Sequence, residues 1–128
     1  MSAWVCVAGG TLLIPSNGFH LHIILNDPCI FDGYKHEQCI LVGISTVRKA
    51  PYDQTCIIEA GAHDFIKNQS YAYYRKARLD FVSHLNSMVR VNSFRPHNPA
   101  TIELLDAVRN GLHKSKQTKK HIIDLKRA

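Results

Sequence analysis

Apolar and polar positions alternate through the first part of the chain, then recur at helical spacing towards its end. Ala3–Ala8 and Thr11–Ile14 are short apolar runs separated by Gly9-Gly10, which predicts two strands and a turn. Pro15-Ser16-Asn17-Gly18 is a second turn, with Asn-Gly suited to positive φ. Phe19–Leu25 reads FHLHIIL. Phe19, Leu21 and Ile23 fall on one side and His20 and His22 on the other, the pattern of a half-buried strand. Asn26-Asp27-Pro28 ends it, and Cys29–Gln38 is loop-like with Asp32-Gly33 at its turn. Cys39–Ile44, CILVGI, has the character of a buried strand that Ser45-Thr46 closes. A loop over Val47–Gln54, a short strand over Thr55–Ile58 and a last strand over Ser70–Leu79 complete the β region.

The period then changes. Phe81, Val82, Leu85, Met88 and Val89 predict a helix over Asp80–Val91, with Asp80 as its N-cap. Pro96 and Pro99 bracket a loop. Ala100–Leu112 is a second helix, with Pro99 suited to its first turn, Arg109 and Gly111 near its end, and Ile102, Leu105, Val108 and Leu112 as its apolar stripe. Thr118–Leu125 is a candidate last short helix. Strands followed by helices indicate an α+β fold: a curved, mainly antiparallel sheet or small β-barrel over 1–79, with a helical extension over 80–128. At 128 residues the two parts are expected to form one compact domain.

Composition adds three constraints. The charged fraction of 20% and hydrophobic fraction of 45% suit a globular protein, and no apolar run reaches the roughly 20 residues that span a bilayer. Met1–Ile14 lacks a positively charged start and reads as a first strand rather than a signal peptide. Cys6, Cys29, Cys39 and Cys56 form no C-x-x-C pair, which predicts reduced core thiols and a cytoplasmic setting. The net charge of +6 lies entirely beyond Val108, where seven basic residues accompany Asp124. Such a tail either attracts polyanions or an acidic partner, or is a solvated, partly disordered terminus.

Chemistry-bearing residues concentrate in Gly61–Arg78, GAHDFIKNQSYAYYRKAR. As a strand it places Tyr71, Tyr73, Arg75 and Ala77 on one face; as a helix it would align Tyr71, Tyr74, Arg75 and Arg78. Either arrangement sets aromatic rings beside guanidinium groups, a combination that stacks bases and grips phosphates. Cleaving RNA needs a base for the 2′-hydroxyl, a cation for the phosphate and an acid for the leaving oxygen. His20 and His22 fit the proton-transfer roles and Arg75 the cation. Thr46 and Ser70 supply hydroxyl donors, while Tyr71, Tyr73 and Tyr74 offer stacking surfaces. His20 and His22 also admit a metal site with His63 or Asp64 as further ligands, but no recognised metal signature has this spacing. A non-catalytic interaction module remains the alternative from another class.

The order of GTLLI, FHLHIILND, CILVGIST and FIKNQSYAYYRKARL resembles the PemK/MazF toxin family. Ile44-Ser45-Thr46 resembles the family's strand ending in threonine. Ile66-Lys67 and Ser70-Tyr71 resemble its "L-x-K-x-S-x-V" segment, and Arg75 falls near its catalytic arginine. The resemblance spans roughly Gly10–Leu79. It implies an SH3-like antiparallel β-barrel, endoribonuclease activity on single-stranded RNA with neither metal nor other cofactor, a homodimer, and neutralisation by an antitoxin protein. Taken with the reading of the residues themselves, it assigns Arg75, His20, His22 and Thr46 to catalysis, and His63, Lys67, Ser70, Tyr71, Tyr74 and Arg78 to substrate binding. His20-Leu21-His22 stands where the family has its arginine–proline pair, and no acidic residue closely follows Arg75. The histidines are therefore the expected proton acceptors.

Overall fold

The computed structural model describes residues 4–128. Six strands and three helices follow in order: β1 (Thr11–Pro15), β2 (Phe19–Ile24), β3 (Gln38–Thr46), β4 (Ile57–Ile58), β5 (Ser70–Phe81), α1 (Val82–Arg90), β6 (Arg95–His97), α2 (Ile102–Gly111) and α3 (Lys120–Ile123). They form one antiparallel sheet in the order β4-β5-β3-β2-β1-β6, so the α+β layout expected from the pattern is present. Asn17 and Gly18 take φ of 53° and 96° in the β1–β2 hairpin, the conformation that an Asn-Gly pair supports.

The two faces of the sheet have different covers. Leu21, Ile23, Ile40, Val42, Ile44, Ala72 and Tyr74 share a core with Leu104, Val108 and Leu112 from the α2 region and Ile122 from α3. On the other face Leu12, Ile14, Ile24, Cys39 and Leu41 meet Cys6, Leu85 of α1 and Phe94. Each fully buried Leu, Ile, Val or Phe among them contributes roughly 1.5–3 kcal/mol over its exposed state. This second core stops half-way along the strands, and its limit defines the functional face described below.

Several expectations need correction. The segment expected as a strand over Ala3–Ala8 has no regular structure from Trp4 to Val7, and Ala3 lies outside the described residues. Instead Cys6 is buried in the second core and Trp4 packs against it. Asp80 does not cap a helix. Its carboxylate pairs with Arg78 at 2.8 Å and His84 at 2.8 Å, β5 runs on to Phe81, and α1 begins at Val82. Pro96 lies in β6 rather than in a loop; this strand pairs only with β1, and an edge strand tolerates the missing N–H. Ile102 is 74% exposed, so the buried stripe of α2 runs through Leu104 and Val108. The cap of α2 is Thr101, whose hydroxyl accepts from the Leu104 N–H at 3.1 Å. The last helix is shorter than expected because the Thr118 hydroxyl donates to the Leu112 carbonyl at 2.6 Å and lies outside it.

The tail is also docked. Ser115, Thr118 and Ile122 are buried, and Arg127 bridges to Phe31. The cysteines are free thiols; Cys6, Cys39 and Cys56 are buried, and the Cys6 and Cys39 sulfurs lie 3.2 Å apart. No helix of the described residues is long and apolar enough to cross a membrane.

Candidate functional site

The site occupies the half of the second face that α1 leaves uncovered. Along β2 this face passes from Ile24 to His22 and His20, and along β3 from Leu41 to Gly43 and Ser45. On β5 it continues with Tyr73 and Tyr71, which lie opposite Gly43 and Ser45. Polar and aromatic side chains thus replace the aliphatic ones where the helix ends.

An irregularity in β5 supplies the cations. Leu41 pairs with Arg78 but Gly43 with Tyr73, so Val42 alone faces the four residues Tyr74 to Ala77. Alternation therefore breaks: Ala72 and Tyr74 point into the main core, and beyond the bulge Ala77 and Leu79 pack there instead. The expected grouping of Ala77 with Tyr71 and Tyr73 fails for this reason. Arg75 and Lys76 sit at the bulge and are both exposed.

Two adjoining cavities line the open face, and a third opens beside them at the strand ends, towards the main core. The first, about 190 Å³, is formed mainly by His20, His22, Gly43, Ser45, Tyr73 and Lys76. The second, about 280 Å³, is bordered by Tyr52, Asp53, Tyr71, Tyr73, Arg75 and Gln117. Tyr73 is common to both. The third, about 360 Å³, shares His20 and Ser45 with the first and adds Thr46, Arg48, Lys67 and Ser70. Arg48, Lys67, Arg75 and Lys76 form no ion pair among the described residues, and Asp53 is the acidic residue that shares a cavity with Arg75.

His22 is the most constrained group. Its Nδ1 lies 3.0 Å from the His20 carbonyl, an acceptor, so this nitrogen carries the proton and Nε2 keeps its lone pair. Burial pushes its pKa down to about 4, and the nearby Arg78 charge acts in the same direction. The imidazole is thus neutral at neutral pH. His20 is held through Nε2, 2.9 Å from the Ser16 carbonyl. In the second cavity the Tyr52 and Tyr71 rings lie 5.2 Å apart at 34°, and Tyr71 and Tyr73 lie 5.9 Å apart edge to face. Burial raises the Asp53 pKa, but hydrogen bonds from Ser115 and Thr55 outweigh it and hold the carboxyl below its ordinary value.

Of the residues singled out from the sequence, His20, His22, Tyr71 and Arg75 border this face. Thr46, Lys67 and Ser70 line the third cavity instead, and Ser70 is buried with its hydroxyl donating to the Asn68 carbonyl at 2.8 Å. Arg75 lies in the aromatic cavity rather than beside the histidines, where Lys76 stands instead. Three others are placed elsewhere. Tyr74 is wholly buried and donates its hydroxyl to the Val108 carbonyl at 2.6 Å, so it does not reach a substrate. His63 is buried, with Nε2 on the Asn98 carbonyl at 2.6 Å and Nδ1 accepting from the Phe65 N–H. Arg78 is held by Asp80 and lies over the Phe94 ring at 5.3 Å.

Tyr52, Asp53, Gln117, Arg48 and Gly43 are not singled out by the sequence, and Lys76, within the chemistry-bearing stretch, is given no role there. Gly43 carried a usable signal, since a glycine inside an otherwise β-branched strand marks a close approach. Tyr52, Asp53 and Gln117 come from segments without periodicity and carried none. Asp64, a possible metal ligand with His63, accepts from the Asn98 side chain at 2.7 Å. Among the described residues no three His, Cys, Asp or Glu side chains gather to hold a metal ion. No family model matches the chain, and comparison with curated proteins and with solved structures returns no match.

Proposed function

We propose that the open face binds single-stranded RNA and that the chain is a metal-independent endoribonuclease of PemK/MazF type. In this reading the six-stranded sheet corresponds to an SH3-like barrel, the toxin acts as a homodimer, and an antitoxin protein covers the basic face. The observation that carries the proposal is the bare Nε2 of His22 in a cavity that also holds His20 and Lys76, beside the aromatic cavity of Arg75.

The chemistry follows from these positions. Nε2 of His22 accepts the proton of a 2′-hydroxyl, whose oxygen attacks the adjacent phosphorus. Lys76 and Arg75 stabilise the charge that develops on the phosphoryl oxygens. His20 is the general acid that passes a proton to the departing 5′-oxygen. The products are a 2′,3′-cyclic phosphate and a 5′-hydroxyl. Thr46, Ser45 and Lys67 hold the flanking phosphates, and Tyr71 and Tyr73 stack bases. Incubating the purified protein with mixed RNA in EDTA tests this reading: it requires fragments with those two ends. Arg75→Ala is expected to reduce cleavage on the order of 10²–10³-fold with the fold intact, and Arg75→Lys to damage it as well, since the planar fork is lost.

One observation favours a second reading. Arg75 and the two histidines occupy adjacent cavities, not one. A non-catalytic RNA-binding module has the same basic aromatic face without needing them to converge. It would bind RNA in EDTA and leave it uncut.

A further inference from the structure

The geometry points to guanine as the base that the Tyr52–Arg75 cavity selects. This inference rests on the RNA-binding reading and names what that binding recognises. It does not require cleavage.

The cavity combines the parts of a base-reading site. At about 280 Å³ it lies just below the roughly 300–1,000 Å³ of small-molecule pockets, a size suited to one base. Tyr52 and Tyr71 are in ring contact already, so a base stacks on their free surfaces rather than between them. Stacking on such rings is worth about 1–3 kcal/mol per base but is indifferent to base identity. Arg75 provides a bidentate grip on the attached phosphate, which is equally indifferent.

Selection falls to Asp53 and Gln117. The Asp53 carboxylate is held in place: Oδ1 accepts from the Thr55 N–H at 3.0 Å and hydroxyl at 2.6 Å, and Oδ2 accepts from the Ser115 hydroxyl. An ionised carboxylate only accepts and has about four lone-pair sites. Three are taken, which leaves an acceptor on Oδ2 at the cavity wall. The Gln117 amide adds a carbonyl acceptor and an NH₂ donor. Guanine presents two adjacent donors, N1–H and the N2 amine, next to the O6 acceptor. Asp53 and Gln117 match that edge. Asp53 accepts from one guanine donor, and the Gln117 amide accepts from the other while its NH₂ donates to O6. Adenine and cytosine give the free Oδ2 acceptor one amine but set a ring acceptor against the Gln117 carbonyl, and uracil flanks its one N–H with two carbonyls, so none of them makes all three contacts.

Calorimetric titration with GMP, AMP, CMP, UMP and inosine monophosphate tests the assignment directly. GMP is expected to bind at least tenfold more tightly than AMP, CMP or UMP. Inosine monophosphate, which lacks only the N2 amine, is expected to bind more weakly than GMP. Asp53→Asn is expected to abolish the ranking, while Tyr52→Leu weakens all five nucleotides alike. Because Asp53 also anchors Ser115 and Thr55, the unmodified protein is decisive where the variant fails to fold. Equal affinities across the five, or inosine monophosphate binding as well as GMP, would overturn the inference even if RNA is cleaved. Selective GMP binding by a protein that leaves RNA intact would sustain it and reject the nuclease reading.

Discussion

The imidazole of His22 lies against the backbone of Gly43, so close that a Cβ at Gly43 would come within 3.0 Å of Nε2. The two residues are direct cross-strand partners, and the missing side chain on β3 is what makes room for the ring on β2. Gly43→Ala is therefore expected to push the imidazole off its position while the sheet still forms. Misplacement of a reacting group by about 1 Å commonly costs on the order of 10²-fold in rate. Cleavage assays with circular dichroism as the fold control check this. A Gly43→Ala protein with unchanged activity would separate His22 from the chemistry.

Burial of His22 also fixes the sign of a pH effect. Its folded-state pKa is about 4 against an ordinary value of 6.5. Between these values the unfolded chain binds the proton and the folded chain does not, so stability falls as pH drops from 6.5 towards 4. The loss from this one group amounts to up to about 3 kcal/mol. Melting temperatures measured across that window should decline in the wild type and decline less in His22→Gln. Equal slopes would show that His22 titrates normally in the fold.

A second close approach concerns stability alone. A Cβ at Gly111 would fall 2.1 Å from the Tyr74 hydroxyl oxygen, which explains a glycine within α2. Alanine normally favours a helix over glycine by roughly 1 kcal/mol. Here the clash outweighs that gain, and Gly111→Ala is expected to destabilise by about 1–3 kcal/mol. Tyr74→Phe leaves the Val108 carbonyl without its donor, at a cost of about 1–3 kcal/mol. Denaturant unfolding measures both, and neither change should alter RNA affinity. A loss of affinity by folded Tyr74→Phe would return this residue to the substrate site.

The basic tail needs a gentler test than truncation. Ile122 and Thr118 are buried, so removing residues 114–128 opens the main core. Lys116 and Lys119 are exposed and flank in sequence Gln117, which lines the aromatic cavity. Reversing both to Glu should weaken RNA binding and flatten its salt dependence, by a slope of about 0.7 for each phosphate no longer neutralised. An unchanged slope would remove the tail from the interface.

Much of this fold was legible in the sequence because binary patterning and turn chemistry are local. FHLHIIL alternates, CILVGI is apolar throughout, and Asn17-Gly18 marks the hairpin. What was not legible depended on distant partners. Asp80 looks like a cap until Arg78 and His84 claim its carboxylate. Tyr74 looks like Tyr71 and Tyr73, yet it alternates with them onto the core face, where the Val108 carbonyl takes its hydroxyl. His63 stands beside Asp64 in sequence but is tied to Asn98, 35 positions away. The aromatic cavity joins a loop, a strand and the tail, and no periodic signal links Tyr52, Tyr71 and Gln117.

The most direct test of the central claim is end analysis of mixed RNA incubated in EDTA with the wild type and with His22→Gln. The account predicts fragments ending in 2′,3′-cyclic phosphate and 5′-hydroxyl from the wild type, and a loss of cutting on the order of 10²–10⁴-fold in the folded variant. RNA left intact by the wild type, or cut at the same rate by His22→Gln, would contradict it.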